Sequence, residues 1–315
     1  MREDSGGITI IDTGYVRPAL CAAYLLRSGG RAALIDCGTA TCAPRVLAAI
    51  EAAGVDRASV DWVMVTHVHL DHAGGAGPLM RALPNARLVV HPRGAPHMID
   101  PTRLIAGAKA VYGEADFARD HAGMLPVPEA RVVIADDGHV VDLAGRALVC
   151  VDTPGHARHH YSVWDDATRS WFAGDTFGIS YRELDTDAGA FIVPTTSPVQ
   201  FDPKQMHASI DRLLARAPVS IRIAHYGEVT ECTRLGRDLH TVIDAMVAIA
   251  QAADGRDDRQ SAIVDGLVGL YTERAVAHGI VDASARVREV LGGDIALNAQ
   301  GLCAWLDRVA RSPSL

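Results

Sequence analysis

The chain has 315 residues, 49% hydrophobic and 22% charged, with a formal net charge of −8. That composition fits one large globular domain or two small ones and excludes long disordered tails. The acidic balance disfavours a nucleic-acid partner, which calls for a basic face, and no apolar run reaches the length of a membrane span. The first residues, MREDSGGITIID, carry acid where an export signal needs a positive start and an apolar core, so the expected compartment is the cytoplasm.

Gly7–Asp12, Ala22–Arg27 and Ala32–Asp36 read as strands, with Ser28-Gly29-Gly30 as a hairpin turn. Pro44–Ala53 reads as a helix stopped by Gly54, and Asp61–Val65 as a short apolar strand. Gly75–Leu83 has a helical pattern and Arg87–Val90 returns to strand. The stretch 94–128, broken by glycines and prolines, is a helical insertion between strands. Val132–Ala135, Ala147–Val151, Ser162–Trp164, Trp171–Ala173 and Val219–Ala224 are further strands, with a helix over Pro203–Ala217. Beyond Gly227 the strand signal stops. Arg234–Ala253 and the segments to Val309 are helical, with Ile263, Val264, Leu267, Val268 and Tyr271 recurring at helical spacing. The order predicts an α/β layered domain over 1–230 and a helical C-terminal extension over 231–315. The scattered cysteines Cys21, Cys37, Cys42, Cys150, Cys232 and Cys303 form no CxxC pair and are expected as free thiols.

Between the strand ending at Val65 and the helix that follows lies THVHLDHAGG, three histidines and an aspartate in six positions. In an extended chain His67 and His69 point to one side, while Asp71 and His72 follow where the chain turns. Imidazole nitrogens and a carboxylate suit zinc, iron or manganese. A lone histidine would be read as a satisfied structural group; this density reverses that reading. His156 in DTPGH, Asp175 in AGDT and His225 in IAHYG each stand just past an apolar strand, where distant segments converge.

This ordered set resembles the metallo-β-lactamase superfamily, in the branch of dinuclear metallohydrolases with a bridging aspartate and a glyoxalase-II-like motif set. The resemblance covers roughly residues 7–230. It implies a four-layer αββα sandwich with metals at one edge between two sheets. It further implies that His67, His69 and His156 bind one metal, that Asp71, His72 and His225 bind a second, and that Asp175 bridges them. In family members with this set a bridging water or hydroxide attacks the substrate, and Asp71 would both ligate and orient it. The cofactors expected are two divalent ions, zinc first, with iron or manganese also fitting.

Asp36 and His160 stand where the family carries supporting residues, and Tyr226 follows a ligand as a candidate hydrogen-bond donor to substrate or a core tyrosine. His159 takes a similar supporting role. Tyr181, Thr195, Thr196 and Ser197 lie after Asp175 in a loop that could reach the site, with surface placement as the default. The absence of G-x-S-x-G, of a phosphate-binding P-loop and of His-Glu-x-x-His removes three other enzyme classes. The expected function is hydrolysis of a small ester or thioester by a metal-bound hydroxide, with a small molecule as the partner. The alternatives are a lactonase or phosphodiesterase, a mononuclear iron persulfide dioxygenase using His67, His156 and Asp175, and a non-catalytic binding protein. The stripe Ile263–Tyr271 could shape a pocket or form a homodimer contact.

Overall fold

The computed structural model describes residue 4 and residues 6–198 and 200–311. Six strands, β1 (Ile8–Asp12), β2 (Ala22–Ser28), β3 (Arg31–Ile35), β4 (Val60–Met64), β5 (Arg87–Val90) and β6 (Val132–Ile134), form one mixed sheet in that order. A second mixed sheet holds β7 (Val140–Leu143), β8 (Arg146–Asp152), β9 (Tyr161–Asp165), β10 (Ser170–Gly174), β11 (Ser220–Ile223) and β12 (Gly227–Val229), again in sequence order. The helices are α1 (Ala43–Ala52), α2 (Leu70–Ala73), α3 (Ala76–Ala82), α4 (Ala95–Ile99), α5 (Thr102–Tyr112), α6 (Glu114–Asp120), α7 (Pro203–Leu214), α8 (Cys232–Ala253), α9 (Arg259–Ala277) and α10 (Ala283–Arg311). This is the expected α/β fold with two mixed sheets and a helical C-terminal region.

The strand β3 runs parallel to β4, β4 to β5 and β5 to β6. Parallel neighbours need a crossover, usually a helix. Helix α1 supplies the first and α3 the second, and the insertion α4–α6 supplies the third. The helical insertion is therefore a long crossover.

Side chains on β2 alternate between two cores. Ala23 and Leu25 join Val46, Ile50 and Leu79 from the helices, while Ala22, Tyr24 and Leu26 join Leu148, Val163 and Phe172 of the second sheet. Period-two burial on both faces is what a central strand between a helical layer and a second sheet requires. Two buried tyrosines tie the sheets together. Tyr24 Oη donates to the Ile223 carbonyl at 2.5 Å, and Tyr161 Oη donates to the Val89 carbonyl at 3.0 Å. Burial pushes both phenols well above their ordinary range.

Two strands escaped the sequence reading. β7 contains an exposed Asp142 and only four residues, and β12 has three residues directly after Tyr226. Runs that short carry little periodicity.

The chain gathers into two compact units. One holds Met1–Asp152, His159–Gly174 and Val219–Glu228, with both sheets; the other holds Thr153–Arg158, Asp175–Pro218 and Val229–Leu315, with α7–α10. In the second unit Ile263, Leu267 and Tyr271 of α9 are fully buried, and α9 packs on α8 and α10. The apolar stripe is thus core of this unit. None of the six cysteines forms a disulfide. Among the described residues, no helix is long and apolar enough to cross a membrane.

In the first unit Arg146 Nε donates to Asp165 Oδ1 at 2.9 Å, Arg146 Nη1 donates to the Gly6 carbonyl at 2.7 Å, and Thr168 Oγ1 donates to the same carboxylate. Asp165 is fully buried and Arg146 nearly so. Removing one partner strands a buried charge. Asp165→Ala is expected to lower unfolding free energy by about 3–5 kcal/mol in urea denaturation, and Arg146→Met combined with Asp165→Leu to recover most of it.

Candidate metal centre

In the first unit the ligand-rich segment leaves β4, runs extended through His69 and enters the single turn of α2. Asp36, just past the end of β3, organises it. Its carboxylate accepts from the Thr66 backbone N–H at 2.8 Å, from Thr66 Oγ1 at 3.0 Å and from His72 Nδ1 at 3.1 Å. Asp36 is 2% exposed and has a φ of 54°, a left-handed conformation that aspartate tolerates better than most residues.

These contacts fix the ring tautomers. The Thr66 hydroxyl gives its proton to Asp36, so its oxygen accepts from His67 Nδ1 at 3.1 Å. His67 then presents Nε2 as a lone pair, 2.9 Å from His69 Nδ1. His72 donates through Nδ1 to Asp36 and faces Asp71 Oδ2 with Nε2 at 3.4 Å. His225 donates through Nδ1 to the Leu20 carbonyl at 2.7 Å and also faces Asp71 Oδ2 with Nε2 at 3.4 Å. In each neutral ring the nitrogen facing Asp71 carries a lone pair. Two lone pairs directed at a carboxylate oxygen repel unless a cation lies among them. A proton on those nitrogens meets the same need: burial acts to raise the Asp71 carboxyl, but charge on a protonated His72 and hydrogen bonds from His225 and His72 outweigh it and hold it well below the usual carboxylate range.

The second unit repeats the pattern. His156 donates through Nδ1 to the Thr195 carbonyl at 3.3 Å and faces Asp175 Oδ2 with Nε2 at 3.4 Å. Gly155, with a φ of 132°, lets this loop pass α7, since a Cβ there would meet the Met206 backbone at 2.4 Å. The carbonyl that orients His156 is held from α10. Asn298 Oδ1 accepts from Thr196 N at 2.7 Å, and Asn298 Nδ2 donates to the Pro194 carbonyl at 3.1 Å and to Tyr271 Oη at 3.2 Å. Imidazole nitrogens fixed by a second hydrogen bond, facing carboxylates, are the donor set of a divalent-metal site.

His160 and His159 both lie in the first unit beside the ligand segment. His160 is fully buried with its ring 5.0 Å from that of His67, and His159 accepts at Nδ1 from the Val68 N–H at 3.4 Å. A Cβ on Gly174 would come within 2.5 Å of His160 Nε2 and 2.6 Å of Thr66 Oγ1, so the glycine before Asp175 is a packing requirement. Tyr226 is half-buried against the core between the sheets, and burial raises its phenol.

Several residues differ from their sequence reading. Thr196, Ser197 and Tyr181, placed at the surface by default, are buried, and the backbone of this loop orients His156. Cys21, expected only as a free thiol, lies beside the ligand segment. Its Sγ, a ring nitrogen of His225 and a carboxylate oxygen of Asp71 all lie within 4.8 Å of one another. No motif marks Cys21, and its placement comes from the loop before β2 folding back on the ligand segment.

Two outcomes follow from this geometry. Asp36→Asn places an amide N–H₂ where His72 needs an acceptor, and zinc affinity measured by chelator competition should fall about 10–100-fold. Asn298→Ala strips the Thr196 N–H of its buried acceptor and should lower unfolding free energy by about 1–3 kcal/mol in chemical denaturation, with zinc affinity falling as His156 loosens.

Comparison with known proteins agrees with the fold. The sequence profile of the metallo-beta-lactamase superfamily matches residues 16–227. Over 264 residues the chain is 28% identical to a hydroxyacylglutathione hydrolase of Acidiphilium cryptum, a match that covers 84% of this chain and 86% of that one. It is 27% identical over 175 residues to the metallo-beta-lactamase fold-containing protein ST1585 of Sulfurisphaera tokodaii, covering 54% of this chain and 62% of that protein. Among solved structures, the metallo-beta-lactamase family protein TTHA1429 of Thermus thermophilus superposes with a TM-score of 0.65 at 18% identity, covering 98% of this chain and 94% of that one. With two-thirds of its length inside the family profile and the same two-sheet fold, the chain belongs to the metallo-β-lactamase superfamily.

Proposed function

We propose that the chain is a metal-dependent hydrolase of a small thioester or ester that binds two divalent ions. His67, His69 and His156 would hold one ion, Asp71, His72 and His225 the other, with Asp175 shared between them. The observation that carries this reading is the common tautomer of His67, His72, His156 and His225. Each spends Nδ1 on a fixed acceptor, and the last three turn Nε2 toward a carboxylate at 3.4 Å. Five imidazoles and two carboxylates suit zinc first, and iron or manganese next.

Such ions, when bound, would lower the pKa of a metal-bound water to about 7 and polarise the bond under attack. The protein's part is to hold the donors rigid. Asp36 and Thr66 fix the rings of His67 and His72, the Leu20 carbonyl fixes His225, and the Thr195 carbonyl fixes His156. Asp71, flanked by two imidazoles at 3.4 Å, would accept a hydrogen bond from the attacking water and aim its lone pair. Similarity to a hydroxyacylglutathione hydrolase along most of both chains favours a thioester, whose thiolate leaves without help from a strong general acid.

The zinc-loaded protein is expected to hydrolyse glutathione thioesters or simple thioesters faster than lactones and phosphodiesters. Asp71→Ala should lower kcat by about 100-fold or more. Turnover unaffected by Asp71→Ala would contradict the role given to that residue. Oxygen consumption with a persulfide substrate on a single iron would replace the hydrolase reading with a dioxygenase.

A further inference from the structure

In the second unit α7 and α8 face each other with a pair of histidines. His207 Nδ1 lies 2.6 Å from His240 Nδ1, with the ring centroids 4.9 Å apart and the planes within 9° of each other, so the rings meet edge to edge. Each outer nitrogen meets a carboxylate: His207 Nε2 is 3.1 Å from Asp244 Oδ1, and His240 Nε2 is 3.1 Å from Asp211 Oδ1. All four side chains belong to the second unit, and none is used by the proposed hydrolase.

A count of protons gives the chemistry. A carboxylate only accepts, so both Nε2 atoms carry hydrogen. In the neutral rings both Nδ1 atoms then present lone pairs to each other at contact distance. That arrangement is repulsive unless a positive species is held between them. A carboxylate behind each ring, fixing its orientation, is the usual support of a metal-bound imidazole.

We propose that His207 and His240 form a further metal site, independent of the hydrolase centre, that takes one borderline divalent cation through the two Nδ1 atoms. Zinc, nickel and copper are the class that two imidazoles select, with copper bound most tightly. Asp211 and Asp244 do not ligate; they orient the rings. Two nitrogens at about 2.0–2.1 Å from a tetrahedral metal stand about 3.3 Å apart, which a small rotation of these partly exposed rings provides. The side chains of His207 and His240 are 28% and 26% exposed, which leaves room for water to complete the coordination shell. The ion would clamp α7 to α8 and stiffen the unit that carries His156.

The test is a zinc count and a melting curve on the full chain in buffer with micromolar free zinc, for wild type and for the double variant His207→Asn with His240→Asn. The site predicts one zinc fewer per chain in the variant and loss of the last zinc-dependent rise in Tm, while thioester turnover stays unchanged. A second variant, Asp211→Asn with Asp244→Asn, keeps both imidazoles and should weaken that last zinc about 10–100-fold. Equal zinc counts in the wild type and the histidine variant overturn the proposal and leave a shared proton between the rings. If the histidine variant fails to fold, unchanged affinity in the aspartate variant overturns it equally. Loss of the catalytic zinc with this one retained would count against the hydrolase reading and leave this site standing.

Discussion

The carboxylate of Asp36 is the constraint on which the ligand segment depends. From the end of β3 it holds the chain just beyond β4, through Thr66, and the first helical turn after it, through His72. A buried acidic group is costly unless its lone pairs are used, and here they are used on the backbone and side chains that carry the candidate ligands. Asp36 therefore sets the path of the chain from sheet to helix and the tautomers of two imidazoles at once. The rigid two-sheet core, tied by Tyr24 and Tyr161, holds β3 and β4 in place so that this small network keeps its geometry.

The second unit solves the same problem with different chemistry. There the oriented ring is His156, its acceptor is a backbone carbonyl, and the loop bearing that carbonyl is pinned by one asparagine from the last helix. A helical extension that looks peripheral along the chain thus reaches a candidate ligand through three residues. The apolar stripe of α9 contributes by burying Tyr271, whose hydroxyl accepts from Asn298.

Much of this was legible in the sequence, for physical reasons. His-x-His-x-Asp-His between a strand and a helix is local, so spacing alone places its side chains. His156, Asp175 and His225 stand at strand ends, which the apolar runs before them mark. The rest is long-range. Asn298 meets Thr196 across 102 positions, and Cys21 reaches the Asp71 carbonyl across 50; no local pattern announces either contact. His207 and His240 come from two helices 33 positions apart, each an ordinary polar residue on its own helix. Thr195 acts through its carbonyl, which side-chain reading cannot see. Close approach explains the Gly174 of the aspartate motif, which leaves room for His160 and Thr66.

The proposal that these oriented donors bind two metal ions calls for elemental analysis of the chain, purified without added metal and dialysed exhaustively to strip weakly held ions. Two equivalents of zinc, iron or manganese per chain, lost together in His67→Ala with His72→Ala, are expected. A folded chain that retains no metal, and takes up none on reconstitution, would contradict it.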